Sequence, residues 1–371
     1  MKTPGGHDDR APGSDPGPGS AVLGSDPFTR SDGTIPYLGR LRERRVRAAT
    51  AEEAPKPAGG EGTRKSVDLG PPVPEVPPFD ETDESAGWLD LLAGLLLDRE
   101  EEERVSALLA DFEGRPYDSL GLNPRVARRA LGVFKQLHRY YFRVESRGHE
   151  VIPEKEAAIL AANHGGLLPF DGSMVITDVV LRADPPRLVR AIVDRWAGTL
   201  PFINIFFSRV GQVVGTRDNF RELLGREQVV LVFPEGMAGA RKLAAERYVL
   251  QKFGLGFIEE SLRHRTMIVP VAIVGADDQT PILYDLKPLA RMLGLPVFPI
   301  TPTFPLLGPL GLLPYPVKYE ITYGEPFRFY EEFPPKALED PQALRYMAEE
   351  VKARIQQMVD AGVSARRGRG S

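Results

Sequence analysis

"AAILAANHGGLLPFDGSMV", residues 157–175, is the stretch on which the fold turns. Ala157 to Asn163 is a short apolar run, the pattern of a strand covered on both faces. It stops at Asn163-His164, passes two glycines and Pro169, and resumes as an apolar run after Asp171. Strand, glycine turn and helix in that order open an α/β unit. In such units ligands and reactive groups collect beyond the carboxyl ends of the strands.

His164 stands at that strand end, one of five histidines in 371 residues. A neutral imidazole near its ordinary pKa accepts a proton at physiological pH, and a carboxylate on the opposite ring nitrogen fixes its tautomer. Asp171 is the nearest such carboxylate, but the spacing sets a condition. Seven residues of continuous helix would part the side chains by about 10 Å, so the pair forms only if Gly165, Gly166 and Leu168-Pro169 fold back as a compact turn. Pro169 suits the start of the next helix, which would carry Asp171 in its first turn, where a negative charge is favoured. A capping aspartate beside a core-edge histidine is the competing reading, and spacing alone does not separate the two.

Working outward, "RLVRAIV" (187–193), "GQVVG" (211–215), "EQVVLVF" (227–233), "MIVPVAIV" (267–274) and "KYEITY" (318–323) read as further strands with helical segments between several of them. The fold class that follows is α/β, a mixed or parallel sheet flanked by helices. Upstream, "WLDLLAGLLLDREEEERVSALLADF" (88–112) reads as one or two helices. "NPRVARRALGVFKQLHRYYF" (123–142) reads as a helix capped by Asn123, with Pro124 at its first position. Its basic, aromatic-ended character suits either a membrane face or an ordinary packed surface. Met292 to Val317 carries no charged side chain but seven prolines, which forbid a regular membrane-spanning helix. It reads as an apolar lid or patch that covers an acyl chain or dips into a bilayer interface, against the alternative of a proline-rich connection buried on the core.

Composition divides the chain into a disordered Pro/Gly-rich arm at 1–85, one domain at 86–355 and a loose tail at 356–371, which ends in "SARRGRGS". The net charge of -4 makes no case for nucleic acid, and "RLRERRVR" (40–47) reads as a solvated basic arm. The chain has no cysteine, which excludes a disulfide framework, a thiolate nucleophile and a cysteine zinc site. Neither GxGxxG nor GxxxxGK[ST] occurs, so nucleotide binding loses its usual support. No metal ligand set is legible, since His149 and His164 lack a third ligand and His138 sits on an amphipathic segment.

A second strand-end loop lies in "VVLVFPEGMAGARK" (229–242), which carries Glu235, Gly236, Arg241 and Lys242. Between the two clusters, "GQVVGTRDN" supplies Thr216, Arg217 and Asn219. The planar guanidinium of Arg217 suits a phosphate, although an arginine taken singly is more often a surface residue.

Asn163-His164 through Asp171, "GTRDN", "FPEG" and "IVPVAIVG" resemble, in order, the four motif blocks of the glycerolipid acyltransferase family, which includes lysophosphatidic acid acyltransferases. The resemblance covers residues 140–330, and "VESRGHEVIP" is similar to the lead-in. It implies an acyltransferase domain that moves an acyl group from acyl-CoA or acyl carrier protein to a glycerolipid hydroxyl, with no bound cofactor. It implies His164 as general base and Asp171 as its orienting carboxylate. Arg217, Glu235 and Gly236 then fall at acceptor-binding positions, the third block with Glu235 and Gly236 being associated with site geometry as well; Pro270 matches the fourth block, and Thr216, Asn219 and Arg241 are candidate contacts to acceptor or donor. The first block is longer than the common form, like that of a longer-loop branch. In the third block Met237 to Ala240 precede Arg241 where an arginine usually follows sooner.

Both departures bear on the acceptor, for which 1-acylglycerol-3-phosphate leads and a neutral mono- or diacylglycerol is the alternative. The partners implied are membrane lipid and acyl carrier protein, at the cytoplasmic face of a membrane, peripheral or monotopic. A hydrolase and a noncatalytic membrane adaptor are the rival readings. The absence of a GxSxG elbow and of cysteine favours direct transfer over an acyl-enzyme.

Overall fold

β6 (Met267–Val274) is buried along its whole length and, with β2 (Ala158–Ala162) and β5 (Val229–Val232), forms the centre of a seven-stranded sheet. The computed structural model describes residues 96–112, 116–195 and 203–369. The arm at 1–85, the basic run at 40–47 and the start of the 88–112 segment lie outside them. In the sheet, β1 (Glu145–Arg147), β3 (Val189–Val193), β4 (Val213–Val214) and β9 (Glu320–Tyr323) complete the order β1-β9-β6-β2-β5-β3-β4. Strands β2 to β6 run parallel, while β9 is antiparallel to β6 and β1 pairs parallel to β9. The sheet is therefore mixed and mostly parallel. The six strands read from sequence are all present; β1 is an addition.

The apolar strands lack alternation because both faces are covered. On one face Ala158, Leu160 and Ala162 pack with Met174, Val175 and Val179. On the other, Ile159 and Ala161 meet Phe257, Ile258, Val351 and Ile355. α1 (Arg99–Leu109), α2 (Pro124–Gln136) and α3 (Phe170–Arg182) lie towards the first face, and Leu97, Val105, Leu131 and Val180 join them in one cluster. Among the described residues, α4 (Ile203–Arg209) precedes β4. α5 (Arg217–Gly225), α6 (Gly256–His264) and α7 (Pro341–Arg369) cover the second face.

The starts follow the chemistry of helix ends. Asp98 and Glu101 close a capping box on α1. The Asn123 side chain accepts the Val126 N–H ahead of Pro124, as the sequence indicates. α2 then passes into a π-helical turn, Leu137–Tyr141.

The tail from 356 is not loose. α7 runs to Arg369, because Met347, Val351, Ile355, Met358, Val359 and Gly362 continue one buried stripe at helical spacing. The basic residues that suggest a tail by composition form the last turn, where cations suit the helix dipole. Arg369 Nη2 also pairs with Glu320 Oε2 at 2.6 Å.

As the prolines require, 292–317 forms no long helix. A short helix (Lys287–Met292) leads into β8 (Pro299–Ile300), which pairs antiparallel with β7 (Tyr284–Asp285), and a helical turn follows at Gly308–Leu312.

Candidate active site

The carboxyl ends of β2, β5 and β6 deliver the polar loops to one edge of the sheet. At the end of β2 the Asn163 amide spans to β6, donating to the Ile273 carbonyl (2.9 Å) and accepting the Ile273 N–H (2.7 Å). The chain therefore leaves the sheet at a fixed point, and His164 is the next residue. Gly166 turns the backbone with φ +83°, and a Cβ there would overlap the Gln279 side-chain amide. That amide braces the turn by donating to the Gly165 carbonyl (2.9 Å), while its oxygen accepts the Tyr319 hydroxyl (2.7 Å).

The turn closes His164 onto Asp171, with Nδ1 2.6 Å from Oδ2. Asp171 is fully buried; Oδ2 also accepts the Gly165 N–H (3.0 Å) and Oδ1 the Gly172 N–H (2.7 Å). With the carboxylate on Nδ1, the proton of the neutral ring sits there and Nε2 is the basic nitrogen. The Phe233 ring stacks on the imidazole at a centroid distance of 4.3 Å. Burial alone disfavours imidazolium, but the charge and hydrogen bond of Asp171, helped by Glu235, outweigh it and hold His164 above its ordinary pKa.

Glu235 takes part in the geometry of the site, holding backbone on two sides. Its side chain is wholly buried: Oε1 accepts the His164 backbone N–H (2.9 Å) and Oε2 the Gln251 N–H (2.6 Å). Below it, Lys242 Nζ lies 3.6 Å from Glu235 and 3.4 Å from Asp277. Asp277 in turn accepts the Tyr248 N–H (2.7 Å). Burial pushes the Asp277 carboxyl up while Lys242 pulls it down.

Lys242, which the sequence offers only as one of the loop's two cations, is thus a structural member of the site, and so are Asp277, Gln279 and Tyr248, which sequence reasoning passes over. The signal for two of them was the polar "GADDQ" directly after β6. Lys242→Met leaves two buried carboxylates without their cation and is expected to cost about 3–5 kcal/mol, read as a lowered denaturant midpoint with unchanged slope.

Gly236 lines the cavity described below, with φ +55° and its N–H donated to the Phe233 carbonyl (2.9 Å). The small-residue loop after it has a steric cause. A Cβ at Gly239 would stand 2.8 Å from His164 Cβ and 2.9 Å from Glu235 Cβ.

Arg241 is exposed and donates to the Pro296 carbonyl (3.4 Å) on the apolar segment. The second cluster is largely engaged in local structure. The Thr216 hydroxyl caps α5 by accepting the Asn219 N–H (3.1 Å), and the Asn219 amide donates to the Val214 carbonyl (3.0 Å). Arg217 is exposed and its Nη2 bonds Glu259 of α6 (2.9 Å). Its neighbour Gly215 lines the cavity; Arg217 does not.

His164 faces that cavity, a mainly apolar space of about 1000 Å³. Leu131 and Phe134 of α2, Ile176 of α3, Phe207 of α4, and Phe298 and Phe304 of the proline-rich segment supply wall. The arrangement offers a base on the wall of a space shaped for an apolar chain. Among the described residues, no group of three or more histidine or carboxylate side chains is arranged to hold a metal ion.

A family model described as Acyltransferase matches residues 143–274. An uncharacterized protein of Mycobacterium tuberculosis (strain ATCC 25618 / H37Rv) is 37% identical over 255 residues, 67% of this chain and 70% of that one. Another, from Mycobacterium leprae (strain TN), is 35% identical over 252 residues, 67% of this chain and 68% of its own length. Among solved structures, the 1-acyl-sn-glycerophosphate (LPA) acyltransferase PlsC from Thermotoga maritima is similar at 19% identity, with a TM-score of 0.42 over 74% of this chain and 88% of that chain.

Proposed function

Because this chain belongs to the Acyltransferase family, we propose that it moves a fatty acyl group from acyl-CoA or acyl carrier protein to a glycerolipid hydroxyl, with 1-acylglycerol-3-phosphate as the leading acceptor. The observation that carries the reading is the 2.6 Å His164–Asp171 contact at an apolar cavity of about 1000 Å³. Nε2 of His164 takes the hydroxyl proton as the oxygen attacks the thioester carbonyl. The tetrahedral intermediate collapses, its C–S bond breaks, and the departing thiolate takes the proton back from the imidazolium. Asp171 stabilises that cation throughout.

The oxyanion needs a donor. Gly165 N–H is given to Asp171 and Gly236 N–H to Phe233, so we assign this task to Gly166. Glu235 is a positioning residue in this scheme, since it holds the His164 backbone. The cavity takes the acyl chain. No acyl-enzyme is needed. The Ser173 hydroxyl donates to the Pro169 carbonyl (3.0 Å), which gives no support to a hydrolase with serine as nucleophile. Family membership sets the adaptor reading aside. We assign the reaction to the cytoplasmic face of a membrane, peripheral or monotopic, as the lipid acceptor of this reading requires.

A neutral mono- or diacylglycerol acceptor is the second reading, favoured by the pairing of Arg217 with Glu259 and by its position outside the cavity wall. In the leading reading Arg217 exchanges Glu259 for phosphate. Arg217→Ala is then expected to raise KM for lysophosphatidate about tenfold or more, the weight of one charge-assisted hydrogen bond, and to spare monoacylglycerol. An equal effect on both acceptors removes that role.

The deciding experiment is mass-spectrometric product formation in mixed micelles, offering acyl-CoA and acyl carrier protein with lysophosphatidate, glycerol 3-phosphate, monoacylglycerol and diacylglycerol. A new ester identifies the acceptor. Release of free acid alone, unaffected by any acceptor, rejects the transferase in favour of a hydrolase.

A further inference from the structure

We propose that Met292, Leu293, Leu306, Leu307, Leu310 and Leu313 form the face by which the protein seats itself on a bilayer that carries anionic lipid. The proposal deepens the acyl-transfer reading by naming the surface through which its lipid arrives, and rests on that reading for the delivery role. Seating itself is tested without turnover.

From Met292 to Val317 the chain has no charged side chain, yet the fold leaves its outer side in water. Met292 is 74% exposed, Leu306 85% and Leu310 70%. These leucines stand on a braced turn. The hydroxyls of Thr301 and Thr303 both donate to the Gly311 carbonyl, at 3.1 and 2.8 Å, and Thr303 Oγ1 lies 3.2 Å from the Tyr315 hydroxyl. A run of large apolar side chains held outward on an ordered element marks a surface that something covers.

Two further observations say what covers it. The inner side of the same segment, through Val297, Phe298, Phe304 and Leu312, is wall of the cavity that His164 faces. The outer leucines and the cavity thus belong to one element, a few residues apart, and a covering rich in alkyl chains meets both. Among the described residues, three exposed cations adjoin the segment: Arg241, which donates to the Pro296 carbonyl, and Lys287 and Arg291, on the short helix that ends at Met292. The carboxylate of Asp285, just before that helix, is directed to the Phe298 N–H at 3.1 Å. Apolar residues flanked by cations match an anionic membrane interface. A second copy of the same patch would bring cation against cation.

The chain contains no cysteine, so Leu306→Cys, Leu310→Cys and, as control, exposed Ala353→Cys variants of the 371-residue chain each carry one environment-sensitive fluorophore. On phosphatidylcholine vesicles containing phosphatidylglycerol, the labels at 306 and 310 are expected to shift to the blue and the label at 353 to stay unchanged. The shift should weaken at high salt. Leu306→Asp with Leu310→Asp, both at exposed positions, is expected to lower vesicle partitioning at least about tenfold.

An unchanged spectrum at 306 and 310 with vesicles overturns the proposal. So does a blue shift that grows with protein concentration in the absence of lipid, since a second copy then covers the patch. The His164→Ala variant is expected to bind vesicles like the parent. Vesicle binding by a parent protein that makes no ester counts against acyl transfer alone, whereas ester formation with unshifted labels counts against the surface alone.

Discussion

His164→Ala abolishes acyl transfer to the limit set by binding and oxyanion stabilisation, an expected loss in kcat of about 10³–10⁴-fold. The size follows from what the alanine removes. On the proposed mechanism the attacking hydroxyl loses its proton acceptor. The protein should stay folded, because the strand end is held by Asn163 on Ile273 and by the His164 backbone on Glu235, neither of which involves the imidazole. Steady-state turnover on the best acceptor, with the thermal midpoint measured beside it, tests this. Turnover within tenfold of the parent would place the base elsewhere.

Asp171→Asn is the second large effect, an expected loss of about 10²–10⁴-fold in kcat. Both carboxylate oxygens accept hydrogen bonds here, Oδ2 from the histidine ring and Gly165, Oδ1 from Gly172. An asparagine must turn its NH₂ towards one of those donors, so one contact becomes donor against donor. Its neutral amide also stops stabilising the imidazolium.

The pH profile carries a separate sign. His164 works as a base only when neutral, so kcat/KM of the parent should fall as pH drops through its pKa, which Asp171 and Glu235 raise above the ordinary 6.5. Without the Asp171 charge, burial dominates and the pKa drops. The acid limb of Asp171→Asn should therefore move to lower pH while the plateau falls. A limb displaced to higher pH would contradict the assigned coupling.

Much of this was legible where the information is local. Asn123-Pro124 announced a helix start, and the continuous apolar runs announced strands covered on both faces. The two glycines and Pro169 announced a turn able to bring His164 to Asp171. What stayed hidden depends on distant partners or very short elements. β1, β7 and β8 have two or three residues each, too few for a period to show, and unlike the equally short β4 they have no glycine-bounded valine pair to mark them. The direction of β9 is set by its pairing with β6 rather than by its own residues. Arg241 and Lys242 are adjacent cations of similar character, and only the carboxylates of Glu235 and Asp277 decide that Lys242 turns inward. Arg217 reads as available until Glu259, on another helix, takes its guanidinium.

The brace on the histidine turn also sets the order in which the molecule can be made. His164 and Asp171 are near neighbours along the chain, but the turn between them is held by Gln279, and Gln279 by Tyr319. A nascent chain that has passed Asp171 holds both members of the pair and none of the far support that aligns them. β2, likewise, gains both neighbours only when β5 and β6 have emerged. Contacts of such long sequence separation form late and slow folding. Activity should therefore arise in one step once Tyr319 has emerged, and a chain released before that point would carry the dyad without its geometry.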